Sequence, residues 1–308
     1  MTLSRATKST RRRLAGAVAL AFLVTGCATK DASVSPQRVN IDARPNGIAV
    51  RTEDGALFMT DDASNSVLLS TDGLHFTPYA TVGTVAGQPN SLSELVFAGP
   101  NLLFVARFGF GSQGGVFEIA QRGPAVALSG LDPKRRRLGL TPVSPGKLLS
   151  TWFVKEDNQP LKGGVSLISY DARTHSATER DVLTGFGKPI GVAVFRDHIY
   201  ITDQTNHCVV DADLNVVLDS QQPVTPNKVL AQVNSPDLLA VDHTGQLFTK
   251  CGQNSVCRIA SDGDVTVIAD DFSDARGVTI DDVRDRVYWI DRTQSAAQAS
   301  AVRTLPLR

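Results

Sequence analysis

The chain has 308 residues, 42% apolar and 20% charged, with 31 basic and 31 acidic side chains and a formal net charge of zero. That length can bury one large β domain or two smaller ones, and the composition is ordinary for a folded protein. Val, Thr, Asp and Gly recur while Met and Trp number 2 each. This balance favours strands and turns, and with no basic excess it argues against a nucleic-acid surface.

The first element is a leader. Arg11-Arg12-Arg13 precede the apolar run Leu14 to Val24 (LAGAVALAFLV), which is far short of the roughly 20 residues a spanning helix needs. VTGC follows, Val24 to Cys27. Small residues before a Cys, directly after such a run, resemble the lipobox of bacterial lipoproteins. The resemblance implies a signal peptide over 1–26, cleavage before Cys27, and acylation of its thiol and new amino terminus. Ala28 rather than Asp would come second, the pattern of outer-membrane sorting in a Gram-negative cell. An ordinary secretory signal that happens to contain a Cys is the alternative. The expected location is the cell envelope, membrane-anchored by lipid, on the periplasmic or extracellular face. Removing 1–26 leaves 26 basic against 31 acidic residues, a net charge of −5, again with no nucleic-acid partner. Residues 27–38 read as the lipidated Cys and a polar tether.

From residue 39 the sequence repeats. PNGIAV…ALFMTD begins at Pro45, PIGVAVFRDHIYITD at Pro189, PDLLAVDHTGQLFTK at Pro236 and ARGVTIDDVRDRVYWID at Ala275. Each reads as an apolar strand, a polar turn, a second strand and a polar loop, usually with a third strand after it. Degenerate copies begin at Ser93 and Leu138 and share Gly-Gly-Val before their third strands, at Gly114-Gly115-Val116 and Gly163-Gly164-Val165. The second strands end at Asp61, Arg107, about Thr151, Asp203, Cys251 and Asp291. A period of roughly 46 residues with four short strands per unit predicts a β-propeller. Six copies predict an all-β, six-bladed ring over 39–308. Its last blade takes the strand Arg38–Ala43 beside one at about 301–307. A seven-bladed ring and an open solenoid are the alternatives.

GVAVFRDHIYITDQTNHCVV resembles an NHL repeat, with Cys208 where the family has Arg, and PNGIAV resembles the gluconolactonase and regucalcin-like propellers. The resemblance is strongest over copies 1, 4, 5 and 6. It specifies fold better than function.

In a four-stranded blade the start of the first strand and the end of the second share one face. The expected funnel therefore gathers Asn46, Ser93 or Glu94, Arg137, Ile190, Asp237 and Arg276. Arg107, Asn206 and His207 rim it, with the loops 107–115 and 153–164. The calcium-dependent lactonase relatives carry a Glu at the start of the first blade and Asn and Asp in later ones. Here Asn46 stands in place of the Glu, Ile190 in place of an Asn, and only Asp237 matches in type. A calcium site would have to be built from Asn46, Glu94 and Asp237, with Arg137 and Arg276 opposing it. If the arginines dominate, the funnel suits a carboxylate or phosphate. Asp61, Asp203 and Asp291 read as acceptors for backbone N–H groups of the turns.

His75, His175, His198 and His243 fall at the opposite end, and no nucleophile elbow, P-loop or HExxH is present. Lys134-Arg135-Arg136-Arg137 reads as a solvated loop, or else as a contact for anionic lipid or an acidic partner. Cys251 and Cys257 flank one turn and are disulfide candidates in an exported protein, leaving Cys208 a lone buried thiol. The favoured function is a binding module for a small molecule or protein at the funnel. The rival is a metal-dependent lactonase or esterase. A lyase, as found on other propellers, has no residue support.

Overall fold

The computed structural model describes residues 37–293 and 298–308. The leader, Cys27 and most of the proposed tether lie outside these residues.

Blade 1 comprises β2 (Pro45–Val50), β3 (Leu57–Asp61), β4 (Ser66–Ser70) and β5 (Thr77–Thr81), after β1 (Gln37–Ile41). Blade 2 comprises β6 (Leu92–Gly99), β7 (Leu102–Arg107), β8 (Gly115–Ile119) and β10 (Val126–Ala127). The short β9 (Gly123–Pro124) runs parallel to β5 and extends blade 1. Blade 3 is β11 (Arg136–Ser144), β12 (Lys147–Val154), β13 (Lys162–Asp171) and β14 (Ser176–Phe186). Blade 4 is β15 (Pro189–Phe195), β16 (His198–Asp203), β17 (Cys208–Asp213) and β18 (Lys228–Gln232), with one helical turn, α1 (Leu214–Asp219), before β18. Blade 5 is β19 (Leu239–Val241), β20 (Leu247–Lys250), β21 (Val256–Ile259) and β22 (Val265–Ala269). Blade 6 is β23 (Ala275–Asp281), β24 (Arg286–Asp291) and β25 (Ser300–Pro306), completed on its outer edge by β1.

The protein is thus an all-β, six-bladed propeller. β1 pairs antiparallel with β25 from Gln37↔Thr304 to Ile41↔Ser300, so the two ends of the described chain lock one blade and remove a free edge. This strand begins at Gln37, two residues inside the stretch read as tether. Arg38 reaches past β25 and adds an ion pair to the buried Asp291 of β24.

The core lies between blades. Six apolar clusters occur among the described residues, each shared by two consecutive blades. Leu149, Val165 and Phe186 of blade 3, for example, pack with Val192, Ile201 and Cys208 of blade 4. Ile48 and Met59 of blade 1 pack with Tyr288 and Ile290 of blade 6, which closes the ring. No blade buries both faces without its neighbours, as the stacking logic of repeat folds requires.

Towards the axis a polar device takes over. Thr60, Thr202 and Thr249 stand one residue before the end of the second strand and Thr151 three residues before it, and all four are fully buried. Thr151 Oγ1 accepts from Gly139 N (2.7 Å) and donates to Ile190 O of the next blade (2.6 Å). Thr202 accepts from Gly191 N (2.7 Å) and donates to Asp237 O (2.7 Å). Thr60 links Gly47 N (2.8 Å) to Ser93 O (3.2 Å) in the same way. Thr249 bonds only within its own blade, to Asp237 N and Leu238 O. The glycines in these links have no room for a side chain. A Cβ on Gly139 would lie 2.3 Å from Ile190 O, and one on Gly191 2.6 Å from Leu239 N.

Cys251 and Cys257 are joined across the β20–β21 turn, with Cα atoms 5.7 Å apart. Cys208 is a free buried thiol whose pKa burial raises.

Two outcomes follow. Thr151→Val leaves Gly139 N–H and Ile190 O unpaired in a buried site. Urea unfolding should show a loss of about 1–3 kcal/mol, and Gly191→Ala should lose at least as much through backbone displacement. Alkylation of the denatured, unreduced protein should spare Cys251 and Cys257 and label Cys208, with Cys251 and Cys257 reacting only after reduction.

Candidate functional site

The inner strands carry β-bulges near their starts, between Pro45 and Ile48, Arg137 and Leu140, Pro189 and Val192, and Ala275 and Val278. Each bulge turns one side chain towards the axis. The ring formed is Asn46, Ser93, Leu138, Ile190, Asp237 and Arg276, and it floors a cavity of about 650 Å³. Arg44, Asp62, Phe108, Phe110, Lys188, Gln204 and Arg292 form its walls.

The sequence-based funnel set divides. Asn46, Ile190, Asp237 and Arg276 line this cavity together. Glu94 does not. Ser93 takes its place, and Glu94 lines a separate channel of about 270 Å³ along the lower halves of the inner strands. Arg137 is also absent from the cavity, because the bulge after it presents Leu138 instead. Its fully buried guanidinium donates to Glu179 at 2.8 and 2.9 Å. Arg107 is held away from the mouth: Nε donates to Gln113 O (2.7 Å), Nη1 to Gly83 O (3.0 Å), and the guanidinium lies 4.6 Å from the Phe117 ring centroid. His207 is exposed in a left-handed turn (φ 53°), where Nδ1 accepts from Ser235 N (3.2 Å). It does not reach the cavity.

The strand-end aspartates serve the frame. Asp61 accepts from Arg44 N, Ala63 N and Ser64 N (2.8–3.1 Å), and Asp203 from Gly187 N, Lys188 N and Thr205 N (3.0–3.1 Å). Burial raises the Asp61 pKa, and the hydrogen bonds from Ser64, Arg44 and Ala63 outweigh it, so the group stays below its ordinary value. Each aspartate fixes both its own turn and the approach to the inner strand.

The next residue carries the site. Asp62 and Arg292, which follow Asp61 and Asp291, point into the cavity together with Gln204, which follows Asp203. Arg292 Nη1 donates to Asn46 Oδ1 (2.5 Å) and pairs with Asp62 Oδ2 (3.2 Å). Asn46 Nδ2 donates to Asp62 Oδ2 (2.9 Å) and to Leu92 O (2.7 Å), and Leu92 N donates to Asp62 Oδ1 (2.8 Å). On the same side of the cavity Arg276 pairs with Asp237 (3.2 Å) and with Asp274 (2.6 Å), which Lys250 also holds at 2.6 Å. Lys188 Nζ donates to Gln204 Oε1 (2.6 Å). The strand pattern exposed Asn46 and Arg276 as funnel residues. It gave no reason to look at the residue just past each second strand.

Burial pushes the Asp62 carboxyl up to about 6, against the pull of Arg292 and Arg44. Burial lowers the Lys188 pKa, with Arg276 and Arg136 adding to this and Asp237 opposing it. Burial raises the Glu94 pKa well above its ordinary value, with Leu140 N–H opposing and Asp237 adding. The cavity wall thus sets four cations, Arg44, Lys188, Arg276 and Arg292, against two carboxylates, Asp62 and Asp237.

A calcium ion does not fit this donor set. Asn46 Oδ1 already accepts from Arg292, Asp237 is paired with Arg276, and Glu94 lines the other channel. Among the described residues no group of three His, Cys, Asp or Glu is placed to hold a metal. A divalent cation there would also meet repulsion of about 8 kcal/mol from each guanidinium 4 Å away at an effective dielectric near 20.

Residues 186–210, which lead into and span β15 and β16 and open β17, match the NHL repeat model. No curated protein matches the chain by sequence. Solved structures do match in fold. A gluconolactonase of Xanthomonas campestris is 14% identical with a TM-score of 0.64, over 90% of this chain and 91% of its own. The calcium-binding regucalcin of Agrobacterium tumefaciens is 12% identical with a TM-score of 0.65, over 87% and 93%. The virginiamycin B lyase of Staphylococcus aureus is 13% identical with a TM-score of 0.57, over 89% and 99%. The chain is a six-bladed propeller that carries an NHL repeat and has gluconolactonase- and regucalcin-like structural neighbours.

The Asp62 shift can be measured. A carboxyl-detected NMR titration should give a midpoint near 6, and Arg292→Gln should raise it by removing a favourable charge. The folded pKa lies above the ordinary 3.8. Stability contributed by Asp62 is therefore full below about pH 4 and is lost as pH rises through about 6.

Proposed function

We propose that the protein is an extracytoplasmic binding module, anchored by lipid at Cys27, whose upper cavity takes a small anionic ligand. The observation that carries this reading is the cavity of about 650 Å³ with Arg44, Lys188, Arg276 and Arg292 on its wall against Asp62 and Asp237. Its size is that of small-molecule sites, which run from about 300 to 1,000 Å³. Guanidinium groups already positioned by carboxylates and amides can direct their remaining N–H donors at a carboxylate or phosphate without further ordering. The Cys251–Cys257 bridge and the leader support an oxidising location outside the cytoplasm.

The lactonase reading comes from the resemblance of PNGIAV and from the fold neighbours. The residues of this cavity do not supply the oxygen ligands a calcium-dependent reaction needs, and no step is derived through a metal here.

Isothermal titration and thermal melts of the purified protein at low salt would separate the two. Acetate and inorganic phosphate should bind and raise the melting temperature by mass action. Arg276→Gln combined with Lys188→Met should weaken both anions at least tenfold, and calcium against a chelator should change nothing. A calcium-dependent rise in melting temperature, lost in Asp237→Asn, would instead favour the hydrolase.

A further inference from the structure

The cavity has two unlike sides. Blades 5, 6 and 1 supply Asp237, Arg276, Arg292, Asn46 and Asp62. Blades 2, 3 and 4 supply Phe108, Phe110, Leu138 and Ile190. Lys188 of blade 4 stands where the two sides meet, beside the Phe153 ring (5.8 Å).

The aromatic side is built, not incidental. Phe108 and Phe110 sit on the β7–β8 loop with ring centroids 5.0 Å apart, and Phe108 lies 5.6 Å from Phe153. Arg136 lies over Phe108, Phe110 and Phe153 at 5.2, 5.7 and 5.8 Å. The backbone fixes the loop. Phe108 N donates to Ser91 O (2.8 Å), Gly109 N to Ser91 Oγ (3.2 Å) and Gly114 N to Pro133 O (2.9 Å). Gly109 has φ +65°, and a Cβ there would lie 2.1 Å from Gly114 N. Only glycine permits this close turn, and the turn holds two phenyl rings at the cavity wall with Phe110 38% exposed.

An exposed ring held rigidly beside a cationic wall has unused apolar surface at about 25 cal/mol per Å² and no ordering cost on binding. Resting on the anion-binding reading above, we infer that the ligand is a small aromatic carboxylate. Its carboxylate meets the Arg276 and Arg292 side, and its ring lies against Phe108 and Phe110. The same walls disfavour a compact polyanion, which would leave the phenyl side in water, and a neutral sugar, which would leave the guanidinium donors unused.

The test is calorimetric titration of the purified protein with three probes: phenylacetate, acetate and neutral phenylacetamide. Phenylacetate should bind at least tenfold tighter than either of the others. Phe110→Ala, at an exposed loop position, should bring phenylacetate down to the affinity that the same variant shows for acetate. Equal affinities for phenylacetate and acetate, unaffected by Phe110→Ala, would overturn the aromatic assignment and leave the anion reading standing. Binding of phenylacetamide as tight as phenylacetate would overturn the role of charge, and with it both readings. Failure of every anion to bind would also overturn both.

Discussion

Six inner strands converge on one axis, and their backbones approach one another more closely than side chains allow. The buried threonines of the second strands resolve this crowding. Each Oγ1 in blades 1, 3 and 4 accepts from its own inner strand and donates to the inner strand of the next blade. The hydroxyl satisfies one donor and one acceptor that the bulges leave outside the strand ladders. Glycine beside it permits the close approach. In four blades the axial side chain follows from this close approach, because the residue before the glycine is the one turned to the axis. Asn46, Leu138, Ile190 and Arg276 all occupy that place.

The blades were legible in the sequence because strand alternation and a repeat of roughly 46 residues are periodic signals that tertiary context reinforces. The exchange of one strand between the two ends was legible too, since RVNIDA alternates apolar and polar. Phase within a strand was harder. In blade 3 the start of the first strand pointed to Arg137 as the axial residue, and the bulge between Arg137 and Leu140 moves the axial position by one. Arg137 instead becomes a buried partner of Glu179, a residue 42 positions away that no local pattern points to. In blade 2 the glycine place is taken by Glu94, so the copy gives no marker, and Ser93 is the axial residue. Asp62 and Arg292 escaped notice for a different reason. Their neighbours Asp61 and Asp291 repeat and draw attention, but repetition marks the frame. Side chains that differ from blade to blade, Asp62, Phe108, Gln204 and Arg292, make the site.

The electrostatics of the cavity follow from which acids are already occupied. Asp61, Asp203 and Asp291 are spent on backbone N–H groups and cannot serve a ligand. Asp274 is shared by Arg276 and Lys250. Asp62 and Asp237 remain at the wall, each facing a guanidinium. Removing either carboxylate would free an arginine, whereas removing either arginine would strand a buried charge. This asymmetry makes the pairs positioning devices for cationic groups, which are in excess, and sets the sign of the ligand the wall can hold.

Glu94 marks where the same frame divides the axis below the cavity. It stands where blades 1, 3, 4 and 6 have glycine, and it lines the channel along the lower halves of the inner strands. Burial favours the protonated form of its carboxyl, because a neutral acid costs less in a buried site than a carboxylate does. The lower channel and the upper cavity share no lining residue, and Ser93 and Glu94, adjacent in β6, face one each. Asp237, whose charge adds to the Glu94 shift, is paired with Arg276 at the cavity wall. The acid that a calcium-site reading would assign to metal binding therefore lies outside the cavity, in the channel beneath it.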